Sequence, residues 1–237
     1  MPNPTAAILL IGDEILSGRT QDTNGNYLAK CLTEAGIELC EIRVVSDVGA
    51  AIIEAVNALR ARYTHVFTSG GIGPTHDDIT ADAIAAAFNT NIDVREDARA
   101  ILATHYGDPA DLNEMRLRMA RIPDGATLID NPVSKAPGFS LGNVHVMAGV
   151  PAVFKAMVAS LLPTLTGGTP MLSVSVRIEK PEGQLAGVLA EIASDFPQAS
   201  IGSYPFIHEG VFGSNLVARS TDPALLAVIE AKLLTLR

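Results

Sequence analysis

Short apolar runs alternate with stretches whose hydrophobic residues recur every three or four positions, and this alternation governs the first part of the chain. AAILLI at 6–11, LCEIRVV at 39–45 and HVFTS at 65–69 have the length and composition of strands. Between the first two, a helix starting at Thr23 or Asn24 places Leu28, Cys31 and Leu32 on one face and stops at Gly36. Between the second and third, Asp47 caps a helix whose apolar face is Ile52, Ala55, Val56 and Leu59. Strand, helix, strand, helix predicts βαβ units, hence a three-layer α/β/α domain around a mostly parallel sheet.

After Ser69 the pattern breaks into TSGGIGPTHDDIT, and Asp78 or Thr80 then caps an alanine-rich helix ending near Phe88. Residues 96–121 predict two helices broken around Gly107–Pro109, the second carrying Arg116, Arg118 and Arg121 either on a solvated face or toward a phosphate. TLID at 127–130 and NVHVMAG at 143–149 predict strands, and Pro151 suits the first turn of a helix through 162. PTLTGGTP at 163–170 is polar and breaker-rich, and divides a domain at 1–165 from a second at 171–237. The second reads as strand 172–178, helix 182–195, strands 199–206 and 212–219, and helix 223–236, a small α+β unit of KH-like order. It lacks the GXXG loop with which RNA-binding KH modules clamp a backbone, so packing or dimerisation is expected of it rather than RNA binding.

The 237 residues, 48% hydrophobic, suffice for a sizeable core. A formal charge of −9 argues against nucleic acid and anionic membranes as partners, so an anionic ligand must be held by local groups. AAILLIG at 6–12 is too short to span a bilayer and has no basic flank, which makes it a buried strand and the cytoplasm the expected compartment. Cys31 and Cys40 have no metal-ligand spacing and are read as reduced, partly buried thiols.

In an open parallel sheet, ligands bind beyond the carboxyl ends of the strands. The loops there are 12–24, 46–48 and 69–78, and they carry most of the candidate chemistry. Ser69, Gly70, Gly71, Gly73, Pro74, Thr75 and Thr80 form a loop whose backbone N–H groups suit an anion, with Gly12 and Asn24 beside it. The loop lacks the GK[ST] ending of a P-loop and the GxGxxG of a dinucleotide fold. Asp13, Glu14, Asp47 and Asp77 offer oxygen ligands to a divalent cation, phosphate oxygens completing its shell. Asp47, Asp77 and Asp78 are the candidate catalytic carboxylates, Asp78 having helix capping as its simpler role, and His76 is either a metal ligand or proton carrier or an idle loop residue. In NPVSKAPGF at 131–139, Asn131 and Ser134 either orient a sugar or base or stabilise a turn. Lys135 either faces a phosphate or solvent, and Gly138 completes the candidate binding set.

IGDEILSGRTQDTNGNYLAKCLTEAGIEL, VVSDV, TSGGIGPTHDDIT and NPVSKAPGF, in this order, resemble the competence/damage-inducible protein A family, whose N-terminal domain shares the molybdopterin-binding fold of molybdopterin adenylyltransferases. The resemblance covers about 1–162, and IGSYP at 201–205 is similar to that family's second unit. It implies a pterin or nucleotide ligand on the glycine loop, molybdopterin or a divalent metal (Mg²⁺, Mn²⁺ or Co²⁺) as cofactor, and a homo-oligomer. Asp47 and Asp78 match the two aspartates that matter in the adenylyltransferases, and nearer relatives are associated with metal-dependent cleavage of ADP-ribose or FAD. Longer members carry a C-terminal nicotinamide mononucleotide deamidase domain for which a chain ending at Arg237 leaves no room, so that activity is not expected. AGVPAV at 148–153 puts Val153 where the family often has an acid, which weakens the expectation of hydrolysis and leaves binding intact. The expected function is binding of a phosphorylated nucleotide or pterin with hydrolysis of a nucleotide pyrophosphate, the alternatives being binding alone or molybdopterin adenylyl transfer.

Overall fold

The computed structural model describes residues 2–108 and 111–237. The chain falls into two compact units, Met1–Gly168 and Thr169–Arg237. Pro109, part of the expected helix break, lies outside the described residues.

The first unit contains β1 (Thr5–Ile11), α1 (Asp13–Leu16), α2 (Asn24–Glu34), β2 (Glu38–Val45), α3 (Gly49–Arg60), β3 (His65–Ser69) and α4 (Thr80–Phe88). It continues with β4 (Ile92–Val94), α5 (Glu96–Tyr106), α6 (Glu114–Leu117), β5 (Arg121–Pro123), β6 (Thr127–Ile129), β7 (Gly138–Leu141), β8 (Val144–Met147) and α7 (Pro151–Leu161). Six strands form one sheet in the order β2-β1-β3-β8-β7-β6. β2, β1, β3 and β8 are parallel, whereas β7 opposes both β8 and β6, so β6 again runs with β8.

β1 shows why the sheet is covered on both faces. Successive strand side chains point to opposite faces, and both sets on β1 are apolar and buried. Ala7, Leu9 and Ile11 enter a core shared with Ile52 and Leu59 of α3, Ile84 of α4 and Leu102 of α5. Ala6, Ile8 and Leu10 enter a second core with Leu28 and Leu32 of α2 and Phe154 and Met157 of α7. Each large aliphatic side chain buried this way contributes roughly 1.5–3 kcal/mol, which is what holds three layers together. Among the described residues no helix is long and apolar enough to cross a membrane.

Several local expectations are corrected. Neither Thr23 nor Asn24 caps α2 with its side chain; the carboxylate of Asp22 accepts the amides of Asn24 and Gly25 at 3.0 and 3.1 Å instead. Asp47 does not cap α3, whose first flanking residue is Val48, because its carboxylate accepts the Asp13 amide at 2.9 Å. Asp78 and Thr80 do not cap α4, since Asp78 accepts from Thr75 and the Thr80 hydroxyl donates to the Gly70 carbonyl. The second helix expected within 96–121 is the single turn α6, after which the chain pairs antiparallel with β4 through β5. Burial of Ala120 and Ile122 in the first core overrides the helical pattern there. The three arginines are internal braces: Arg116 lies over the Tyr106 ring at 4.2 Å, Arg118 donates to the Asp78 carbonyl at 3.2 Å, and Arg121 pairs with Asp82 at 2.6 Å. Cys40 is exposed, not partly buried.

The expected linker is ordered at its start, where Leu165 packs on the second core and the Gly168 amide donates to the Ala35 carbonyl at 3.2 Å. The second unit contains β9 (Leu172–Ile178), α8 (Glu182–Asp195), β10 (Ser200–His208), β11 (Val211–Ser220) and α9 (Pro223–Leu234). Its antiparallel sheet, ordered β10-β11-β9, packs Val176, Leu216 and Ala218 against Leu185, Ile229 and Leu233 of the helices.

Candidate functional site

Because β6 runs with the parallel strands, the carboxyl ends of β2, β1, β3, β8 and β6 emerge at one edge of the sheet. The loops leaving these ends enclose a cleft of about 540 Å³. That volume suits a nucleotide-sized ligand.

The loop after β3 forms the middle of the cleft. Gly70 and Gly71 have φ of 114° and 70°, where a side chain is strained. A Cβ on Gly70 would also strike the Ile11 carbonyl, and one on Gly71 the Thr80 hydroxyl. The turn is closed by Gly70 N–H donating to Met147 O at 3.1 Å, Thr80 N–H to Gly71 O at 2.9 Å and Thr80 Oγ1 to Gly70 O at 3.0 Å. Among the described residues the amides of Gly71, Ile72 and Gly73 have no acceptor, and all three residues line the cleft. Their donors suit an anion.

Glu14, Asp47, Asp77 and Asp78 line the same cleft, and no Lys or Arg does so among the described residues. Burial raises the pKa of Asp47; the Asp13 amide opposes this, while the charges of Glu14, Asp13 and Asp77 reinforce it. Asp77 is shifted the other way, chiefly by the Thr75 hydroxyl. Thr75 Oγ1 lies 2.5 Å from both Asp77 Oδ1 and Asp78 Oδ2, so its one proton serves the two carboxylates alternately, while its amide holds Asp78 at 2.8 Å. Among the described residues no three His, Cys, Asp or Glu side chains are gathered closely enough to cage a metal by themselves. The donor set nonetheless fits a hard cation: the carboxylates crowd one another without a compensating charge, and Mg²⁺ is commonly held by one or two carboxylates with substrate phosphates and water. Asp13 takes part through its amide and does not line the cleft, and His76 is exposed, 4.0 Å from Asp77.

Asn24 and Ser69 sit in a side recess of about 70 Å³ that shares Glu14, Thr20 and Gly149 with the cleft. Asn24 Nδ2 donates to Ser69 Oγ at 2.9 Å and to Gly149 O at 2.7 Å, tying the end of β3 to the loop before α7. Among the described residues its Oδ1 is buried without a partner. Gly70, Gly71, Gly73, Pro74, Asn131 and Ser134 line the cleft, whereas Gly12, Thr75, Thr80, Lys135 and Gly138 do not. Thr80 is buried beneath the loop. Gly12 leaves room for the Glu14 carboxylate, which a Cβ would meet at 2.6 Å. Lys135 occupies a left-handed turn at φ 62°, and Gly138 is a sheet residue whose Cβ would strike the Val146 carbonyl. Sequence reasoning missed Thr20, Met119 and Ala136 as lining residues; Met119 arrives by long-range packing, which leaves no local signal.

Fold and cleft together define a three-layer α/β domain that presents a glycine loop and carboxylates at the carboxyl edge of a mostly parallel sheet. The chain belongs to the family described as "Probable molybdopterin binding domain", whose profile matches residues 7–167. A second profile, "FAD synthase, middle domain", matches residues 170–236. The chain is 34% identical over 199 residues to a protein of Archaeoglobus fulgidus, with 84% of each covered. It is 29% identical over 255 residues to a protein of Caenorhabditis briggsae named "Probable FAD synthase", covering 97% of this chain and 49% of that one. Among solved structures, the protein CinA of Thermoplasma acidophilum, described as of unknown function, is 34% identical with a TM-score of 0.65, over 69% of this chain and 99% of that one.

Proposed function

We propose that the cleft binds a phosphorylated nucleotide or pterin through the glycine-loop amides and hydrolyses a pyrophosphate bond of the ADP-ribose or FAD type with a divalent cation. The observation that carries this reading is the meeting, in one cleft, of three amides without acceptors and four carboxylates without a cationic side chain among the described residues. Family membership supports the ligand class, and the relative named "Probable FAD synthase" supports a flavin nucleotide among the substrates.

One or two of Asp47, Glu14 and Asp77 would hold the cation together with phosphate oxygens of the substrate, and the cation would supply charge neutralisation at the diphosphate and a more acidic water. The amides of Gly71, Ile72 and Gly73 take charge developing on the leaving phosphate. Asp78, fixed by the Thr75 amide, accepts the proton of the attacking water. The Asp13 amide aims the Asp47 carboxylate.

Incubation with ADP-ribose or FAD and Mg²⁺, Mn²⁺ or Co²⁺ tests the reading, AMP being the expected product. Asp78→Ala should lower turnover by about 100-fold or more, the range of a lost general base. Binding without turnover under every combination would defeat the hydrolytic part. A binding protein without catalysis is the second reading, favoured by Val153, which lines the cleft as an apolar wall where the family resemblance places an acid. It expects ligand-induced thermal stabilisation that survives Asp77→Ala and Asp78→Ala.

A further inference from the structure

Three basic side chains of the first unit stand apart from the rest. Among the described residues Arg19, Lys30 and Lys135 have no ion pair, side-chain hydrogen bond or ring contact. Every other arginine of that unit pairs with a carboxylate or donates to a carbonyl, as Arg43 does to Glu41 at 2.7 Å and Arg60 to Ala87 O at 3.0 Å. Lys155 lies over the Tyr27 ring at 5.3 Å.

Two of the three adjoin the cleft. Arg19 precedes the lining residue Thr20 in the loop after β1, and Lys135 lies between the lining residues Ser134 and Ala136 in the turn after β6. The strand order puts the glycine loop, which follows β3, between them. Lys30 is on α2, with no lining residue beside it in the chain.

Both turns are pinned while both charged heads are free. Gly18 N–H donates to Ile15 O at 3.1 Å and Thr20 N–H to Glu14 O at 2.9 Å, which anchors the backbone on either side of Arg19. Lys135 N–H donates to Asn131 O at 3.0 Å, and Asn131 Nδ2 ties the same turn through Ser134 Oγ and Ala136 O at 2.6 and 2.8 Å. Either long side chain can therefore swing without its turn coming apart. Lys135 has φ of 62°, where lysine is strained and glycine or asparagine is not, so the turn by itself gives no reason for a lysine. Arg19 is exposed and unpaired although four carboxylates line the cleft next to its loop.

We infer that Arg19 and Lys135 fold in from opposite sides onto the diphosphate held by the glycine-loop amides and donate to its oxygens, which rests on the proposed anion site. They supply the cationic contacts that the lining lacks, Arg19 as a planar fork and Lys135 as a point charge. The ligand-bound cleft is then bracketed by residues from two separate loops, each already set in place.

The test measures Kd of the full chain for inorganic pyrophosphate with Mg²⁺, at low and at high ionic strength. Arg19→Gln removes an exposed, unpartnered charge, and Lys135→Asn removes one where asparagine suits the left-handed turn, so both variants are expected to melt no lower than the parent. Each is expected to weaken pyrophosphate by at least about 10-fold, the scale of a lost charge-assisted hydrogen bond, and to do so at both ionic strengths. Lys30→Gln makes the same change of charge away from the cleft and is expected to alter Kd by less than about 2-fold. A loss below about 10-fold in either rim variant, a loss that disappears at high salt, or an equal loss in Lys30→Gln means that the charges act only at a distance. Any of these overturns the inference while the anion site stands. Failure of pyrophosphate to bind the parent chain overturns the anion site and this inference together.

Discussion

His145 is 4% exposed, with Nδ1 2.8 Å from Ser140 Oγ and Nε2 3.2 Å from His65 Nδ1. Burial, helped by the neighbouring His65, lowers its pKa to about 4. The unfolded chain keeps the ordinary value near 6.5, so between these values the unfolded state binds more protons and stability falls as pH falls. The loss begins below about pH 6.5, is complete below about pH 4, and amounts to roughly 3 kcal/mol for this residue. His65, shifted down by its own burial, adds in the same sense. Chemical denaturation at pH 7 and pH 4.5 measures it, and His145→Phe should flatten that part of the profile. Asp47 is the opposite case: its raised pKa makes the ionised form a cost of folding at neutral pH, greater above its titration than below. Asp47→Asn keeps an oxygen for the Asp13 amide and removes the charge. The variant is expected to melt higher than the parent at pH 7 and to lose Mg²⁺-dependent ligand binding. A lower melting temperature would show that Asp47 is a structural ion rather than one held for a ligand.

At the scale of elements, two glycines of similar φ separate strain from crowding. Gly18 at φ 71° has open space where a Cβ would stand, whereas Gly71 at φ 70° has the Thr80 hydroxyl there. Gly18→Ala should cost about 1 kcal/mol, the left-handed penalty alone. Gly71→Ala should cost at least about 2 kcal/mol, since the loop must also leave Thr80 or lose the bond that closes it. Urea unfolding of the two variants reports the difference, and equal losses would mean that the loop yields freely. The same contrast between local and distant causes explains what the sequence could disclose. β1, β3 and the buried face of α3 were legible because periodicity alone specifies them. The three-residue strands β4 and β5 were not, since partners from elsewhere in the chain define them. Caps were misread for a related reason: Asp47 and Asp78 have the chemistry of caps, and only the packed loops show that the Asp13 amide and Thr75 occupy them. In the site, the glycine loop and carboxylates stood out by residue type. Met119 and Ala136 did not, and Asn131 looked available until its four bonds to its own turn were visible.

At the scale of the whole molecule, the question is how much of the chain the cleft needs. Every lining residue falls between Ile11 and Val153, and the cores on the two faces of the sheet draw only on Met1–Gly168. A unit of that size has surface and volume enough to fold alone. Thr169–Arg237 has a separate core around Leu216, Ile229 and Leu233, but a domain so small buries only about 60% of its unfolded surface and is marginal by itself. A fragment of residues 1–168 is therefore expected to unfold in one cooperative transition and to bind pyrophosphate and nucleoside diphosphates within about 3-fold of the full chain, a difference below 1 kcal/mol. The isolated 169–237 fragment should unfold at lower denaturant, with a smaller dependence on denaturant concentration because it exposes less surface. If the larger fragment folds but its affinity falls by more than about 10-fold, over 1.4 kcal/mol of binding comes from outside the cleft.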